Sequence, residues 1–223
     1  RRFNPFDLIR KKNKLWRLQK GKYESAYRKK ITRISGVREV KQTFLIFAGV
    51  NTEPDYFNAF RLTSATVKAI GQGMGTLALV QKAINIKEQK GKEEGHTIRI
   101  GWSLTKMISE NDFNSAILSA RQNGFEVAYS NQAFEFWFLL HFNLYQGALH
   151  RSRYEKMLST LLGFAYTKKS GVSSKMFNAL FLKQEQAINH AKTIMKQFDG
   201  NNPAQQESST TVYRLVEELN NFL

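Results

Sequence analysis

From Thr43 to Tyr129 the chain alternates short apolar runs with helix-length amphipathic segments. No other feature narrows the fold as much, because strand–helix–strand alternation builds a parallel sheet with helices packed on it. Thr43 to Phe47 reads as the first strand, ended by Gly49. Glu53-Pro54 opens a helix over 54–62, since proline is favoured in a first helical turn. Thr66 to Ile70 is the second strand, Leu77 to Lys90 a helix, and Ile98 to Leu104 the third strand. Ser109-Glu110-Asn111-Asp112 carries capping and acidic residues suited to a helix N-terminus. That helix is expected over 113–123, and Phe125 to Tyr129 is the fourth strand.

After residue 145 the pattern is helical. Helices are expected over 153–162, over 177–198 in one or two pieces, and over 210–222. Ile188, Ala191, Met195 and Phe198 repeat at helical spacing and read as core rather than site. The expected architecture is an α/β domain over 43–145, a helical C-terminal part over 146–223 and a basic arm over 1–42.

The arm stands out by charge. The chain carries a formal +16, and residues 1–42 hold 15 Lys and Arg against 3 acids. Arg10-Lys11-Lys12-Asn13-Lys14 and Arg28-Lys29-Lys30 are its densest clusters. Such an arm ahead of a near-balanced body suits a phosphate backbone, so Arg10, Lys11, Lys12, Lys14, Arg28, Lys29 and Lys30 are candidate nucleic-acid contacts. A solvated tail or an acidic protein partner are the other readings. Trp16, Tyr23 and Tyr27 could stack on bases or anchor the arm.

Absent residue types remove several chemistries. There is no Cys, which excludes disulfides, thiolate catalysis and Cys-based metal sites. No apolar run is long enough to span a bilayer and no signal peptide is visible, so a cytoplasmic protein without a membrane partner is expected. Gly71-Gln72-Gly73-Met74-Gly75-Thr76 matches neither the dinucleotide fingerprint nor the P-loop, and is read as an ordinary strand-to-helix turn. The chain shows no nucleotide-triphosphate motif of its own.

Tyr129 to Phe142 is almost wholly apolar and aromatic, yet it contains Asn131, Glu135 and His141. Isolated polar groups in such a run need partners if buried. Glu135 and His141 lie six residues apart, so on one straight helix they face different ways. Each then needs its own partner, or one end of the run is not helical. His141 has no second His at metal spacing. His96, His150 and His190 read as surface or packing residues.

This block, with Phe44 to Phe57 (Phe-Leu-Ile-Phe-Ala-Gly-Val-Asn-Thr-Glu-Pro-Asp-Tyr-Phe) and Thr210 to Leu219, resembles the RloB-like family of bacterial defence proteins. The resemblance runs from about Thr43 to the C-terminus. It implies a Toprim-like parallel sheet and a Mg²⁺- or Mn²⁺-dependent nuclease effector of anti-phage, abortive-infection defence. It also implies an ABC-type ATPase partner (RloA-like) and a DNA, tRNA or other RNA substrate. Homo-oligomerisation is left open.

Toprim sites place a Glu just after the first strand and an Asp-x-Asp pair after a later one, where carboxylates at strand ends gather around the metal. Here Ala48 precedes Gly49, and Thr105-Lys106-Met107 follows the third strand. Deliberate substitution, natural loss and residues missing from the sequence all remain open as the origin of that gap. Glu53, Glu110 and Asp112 are the nearest acids and the candidate catalytic and metal-binding set, with helix-start acids as the plainer reading. Asn131, Glu135 and His141 are candidates for an architectural role beside the crevice. The alternative function is a non-catalytic nucleic-acid-binding or interaction subunit.

Overall fold

The computed structural model describes residues 42–48, 51–71, 76–90, 98–105, 109–169 and 172–223. Residues Val40–Leu223 form one compact unit. Four strands, β1 Gln42–Ala48, β2 Ala65–Gly71, β3 Ile98–Thr105 and β4 Glu126–Ser130, make a sheet in the order β2-β1-β3-β4. Every pairing is parallel: Phe44 lies opposite Val67 on one side and Arg99 on the other, and Trp102 lies opposite Val127.

Three helices connect the strands: α1 Thr52–Asn58, α2 Thr76–Lys90 and α3 Glu110–Gln122. The expected boundaries shift by a few residues, and α1 shifts most. It starts at Thr52 rather than Pro54, which places the proline within the first turn, where backbone N–H groups have no intrahelical partner anyway. Its end comes at Asn58 rather than Leu62. Asn58 then does a second job: its side chain accepts from the Ala69 N–H at 2.9 Å and donates to the Ala69 carbonyl at 3.2 Å, on strand β2. The α3 helix is capped by Ser109, whose hydroxyl accepts from the Asp112 N–H at 3.2 Å. Gly124 follows its end at φ +72°, a left-handed value that favours glycine.

Side-chain alternation along β4 shows how the layers are divided. Val127 and Tyr129 join one hydrophobic cluster with Leu79, Val80 and Ala83 of α2 and Phe113, Ala116, Ile117 and Ala120 of α3. Ala128 faces the other way, into a larger cluster with Phe44, Ile46, Tyr56, Phe57 and the helices that follow β4. Helices therefore cover both faces of the sheet, as parallel strands require.

The run from Tyr129 to Phe142 is not one helix. It begins as the end of β4, turns through residues 131–134 and closes in a five-residue helix, α4 Glu135–Leu139. Beyond it lie α5 Tyr154–Leu162, α6 Val172–Leu180, α7 Gln184–Met195 and α8 Val212–Asn220, with short 3-10 turns at Arg151–Arg153, Phe181–Lys183 and Pro203–Gln205. Their apolar faces share the larger cluster, on the Ala128 side of the sheet: Leu158, Met176, Ala187, Ala191, Val212, Val216 and Leu219 all pack into it. The Ile188–Ala191–Met195–Phe198 stripe is core, as its spacing predicts.

The segment after the Pro203–Gln205 turn runs antiparallel along the outer side of β4. Ser130 and Thr210 form a bridge, the Asn131 N–H donates to the Ser209 carbonyl at 2.9 Å, and the Thr211 N–H donates to the Tyr129 carbonyl at 2.8 Å. Gln206, Ser208, Ser209, Thr210 and Thr211 are all buried. Their hydroxyls and amides are matched: Thr211 Oγ1 accepts from the Tyr129 N–H, and Tyr129 Oη donates to Gln206 Oε1, both at 2.9 Å. Such a polar stretch is stable inside a protein only when satisfied in this way. Among the described residues no helix is long and apolar enough to cross a membrane.

Candidate functional site

Between β1 and β3 the winding of the sheet reverses, since β1 leads outward to β2 while β3 leads the opposite way to β4. Open α/β sheets bind ligands outside the carboxyl ends of the strands at such a reversal. Here those ends are Ala48 and Thr105. Ala48 is buried and carries only a methyl group.

The acids that follow the strand ends are divided between two places. Glu53, in the first turn of α1, is 5% exposed, and Glu135, first residue of α4, is 2% exposed. The two carboxyls lie close enough for the Glu135 charge to act on Glu53. Burial is the main reason that Glu53 is pushed from 4.5 up to about 7; the Glu135 charge adds to it, while its own backbone N–H and the Lys168 ammonium oppose it.

Glu135 has two dedicated partners from the loop after α5. Tyr166 Oη donates to its Oε1 at 3.0 Å, and Lys168 Nζ sits 3.3 Å from its Oε2. The Tyr166 hydroxyl is held far above its usual range by burial and by the adjacent carboxylate. Asn51, just before α1, donates to the Lys168 carbonyl at 3.5 Å, so this loop is tied to both walls of the pocket. Sequence reasoning missed Tyr166 and Lys168. Neither stands in a recognisable motif, and only the need of Glu135 for a partner hinted at them.

Glu110 and Asp112 lie apart from this pocket, exposed at the start of α3. Asp112 accepts from the Ser109 hydroxyl at 2.7 Å, completing a reciprocal cap, and Glu110 accepts from Gln205 Nε2 at 3.3 Å. These are helix-start acids, the plainer of their two readings. No group of three or more His, Asp or Glu among the described residues is arranged to hold a metal ion.

A magnesium ion requires several oxygen ligands at near-octahedral positions. The donors present do not fit it. Among the described residues Ala48 offers none, Glu135 is taken by Tyr166 and Lys168, Glu110 and Asp112 are engaged at a helix end, and Glu53 is left as a single buried carboxyl.

Asn131 and His141 are architectural in placement. Asn131, wholly buried after β4, donates through Nδ2 to the Pro203 and Ala204 carbonyls at 2.8 and 3.0 Å, fixing the turn that starts the edge segment. Its Oδ1 has no partner among the described residues. His141 Nδ1 lies 2.9 Å from the Trp137 carbonyl, which can only accept, so the proton is on Nδ1. Burial lowers His141 from 6.5 to about 3, keeping the ring neutral, and its Nε2 is likewise unpartnered among the described residues. Trp137 Nε1 donates to Tyr56 Oη at 3.0 Å, joining α4 to α1.

His190 donates to the Leu140 carbonyl at 2.8 Å and His150 is exposed, as packing and surface residues do. His96, the glycine-rich turn at 72–75 and the arm residues Arg10, Lys11, Lys12, Lys14, Arg28, Lys29 and Lys30 lie outside the described residues.

Comparison with known families matches residues 44–219 to the family described as RloB-like protein. No curated protein matches the chain.

Proposed function

The chain belongs to the RloB-like family, and on that premise we infer that it is a cytoplasmic component of a bacterial anti-phage defence system that grips nucleic acid rather than cuts it. The observation that carries this reading is the pair of strand ends at the reversal of the sheet. On the Toprim-like reading Ala48 and Thr105 fall at the strand ends where carboxylates are expected, and of the nearby acids Glu110, Asp112 and Glu135 are engaged by other residues, which leaves Glu53. The four-stranded parallel sheet with its reversal between β1 and β3 supports the Toprim-like reading of the fold. The basic arm supports nucleic acid as the partner, with DNA, tRNA and other RNA as the candidates. An ABC-type ATPase would supply the nucleotide hydrolysis for which this chain shows no motif.

In this reading the chain contributes binding and positioning. The arm neutralises phosphates and releases counterions, so affinity falls steeply with salt. The loop after α5 joins α4 to the start of α1, through Tyr166 and Lys168 on Glu135 and through the Lys168 carbonyl on Asn51.

A second reading rests on Glu53, whose carboxyl is held near 7, where a general acid or base works best. It makes the chain a Mg²⁺- or Mn²⁺-dependent nuclease using Glu53, Glu110 and Asp112. One experiment separates the two. The chain is incubated with supercoiled plasmid and with tRNA in Mn²⁺ and in Mg²⁺. We expect binding without cleavage, and no cleavage after Ala48→Glu alone, because the site after β3 still lacks its acids. Robust metal-dependent cutting by the unaltered chain would establish the second reading. In parallel, removal of residues 1–39 should flatten the salt dependence, by about 0.9 in log–log slope for each duplex phosphate the arm contacts. An unchanged slope would remove the arm from the account.

A further inference from the structure

The turn after β4 is gripped by two basic segments. On one side Gln132, in the left-handed region at φ +71°, accepts the Arg151 N–H at 2.7 Å. Three residues further on, Glu135 takes Tyr166 and Lys168. The two segments are also joined to each other, since the Tyr166 N–H donates to Ser159 Oγ of α5 at 2.9 Å and the 3-10 turn at Arg151–Arg153 leads directly into α5. Asn51 fastens the second segment beside the carboxyl end of β1. Residues 151–156 and 166–169 thus form one connected surface flanking the carboxyl ends of β1 and β4.

That surface exposes Arg151, Arg153, Lys156 and Lys169, and Lys168 is 49% exposed at its side chain. Among the described residues only Lys168 of these five has an acid partner. Glu155 and Glu207 are the exposed acids nearby, and Glu135 is buried under Lys168. With Lys168 matched by Glu135, four cations against two exposed acids leave the surface positive. Unpaired arginines and lysines beside a crevice at the carboxyl ends of a parallel sheet suit a chain of phosphates crossing that crevice.

We propose that residues 151–156 and 166–169 form a second contact for the nucleic-acid backbone, seating the strand across the carboxyl edge of the sheet. This rests on the nucleic-acid reading above and goes beyond it by placing a contact on the folded body. Arg151 and Arg153 supply forked donors to phosphate oxygens, and Lys156 and Lys169 supply point charges. The Glu135–Lys168 pair sets the position of the second segment and keeps the acid from facing the phosphates.

The test uses the full chain and fluorescently labelled 20-mers of one sequence as single-stranded DNA, duplex DNA and RNA, with anisotropy titrations at several salt concentrations. The Arg151→Ala/Arg153→Ala/Lys169→Ala variant should bind about tenfold or more weakly and lose about 2–3 from the duplex salt slope, roughly 0.9 per contact removed. A charge-matched Lys183→Ala/Lys192→Ala/Lys196→Ala variant at α7 should bind like the parent. The Arg151→Lys/Arg153→Lys variant, which keeps the charges, should recover the slope and so exclude a folding defect. A triple variant with parental affinity and slope would overturn the proposal while leaving the arm, and the proposed function, intact. A parent that binds none of the three probes would overturn both.

Discussion

At the scale of single residues, the buried Glu53 and the buried His141 set opposite pH trends. Glu53 is raised from 4.5 to about 7, so between those values the folded chain holds a proton that the unfolded chain releases, and stability falls as pH rises. His141 is lowered from 6.5 to about 3, so between those values the unfolded chain binds a proton that the buried ring refuses, and stability rises with pH. Each contributes up to about 1.4 kcal/mol per pH unit. The two trends offset each other in the overlap from 4.5 to 6.5. Glu53→Gln removes one of them, and urea unfolding of that variant should show stability climbing with pH across the overlap. A flat profile in the variant would mean that Glu53 is not the opposing group. Glu135→Ala strands the Tyr166 hydroxyl and the Lys168 ammonium, and should cost about 1–3 kcal/mol in the same assay at neutral pH. Glu135→Gln, which can still accept from Tyr166, should cost less; equal losses would show that the charge, not the hydrogen bond, is what matters. The sequence made Glu135 visible as a polar group in an apolar run. It could not reveal Tyr166 or Lys168, which come from a loop 31 residues or more away and are joined to it only by the fold.

At the scale of elements, strand and helix periodicity was legible wherever apolar residues kept a regular period, and boundaries moved by only a few residues. The exception is Tyr129 to Phe142. Its composition alone cannot distinguish a strand end, a turn and a short helix from one buried helix, because all of them are buried. Residues 206–211 were also not legible as structure: the helix expected from residue 210 starts only at Val212, and Gln206 and Ser208 to Thr211 are instead buried against β4 by matched hydrogen bonds. Thr210→Val keeps the shape and removes a hydroxyl that bonds Ser130 and the Tyr129 carbonyl. It should destabilise by about 1–2 kcal/mol, since a buried donor or acceptor is left unmatched. A thermal melt identical to that of the parent would show that these hydroxyls are not bonded as described.

At the scale of the whole molecule, one core unites what the sequence suggested as an α/β domain and a helical part. Phe44 and Ile46 of β1 belong to the same cluster as Leu158, Met176, Ala187 and Val216, and the Phe44 ring meets that of Phe222 edge-on at 5.2 Å. Residues 40–145 produced alone should therefore lack a cooperative thermal transition, which calorimetry would detect; a sharp transition would show that the first part folds by itself. The gap in the metal ligands was legible at this scale too, because Ala48 and Thr105-Lys106-Met107 are plain in the sequence. Where Glu110 and Asp112 would point was not, since a helix cap and a metal ligand call for the same residue types.

The two outer strands bear on how copies of this chain could assemble. At β4 the outward backbone groups of Tyr129 and the N–H of Asn131 are taken by residues 209–211, and at β2 the Asn58 amide occupies both groups of Ala69. A dimer made by continuing one sheet into the next, strand against strand across a two-fold axis, would have to strip these contacts first. Among the described residues, these stretches of the outer strands therefore leave symmetric contacts to the helical flanks, where side chains rather than main chains decide which neighbour fits.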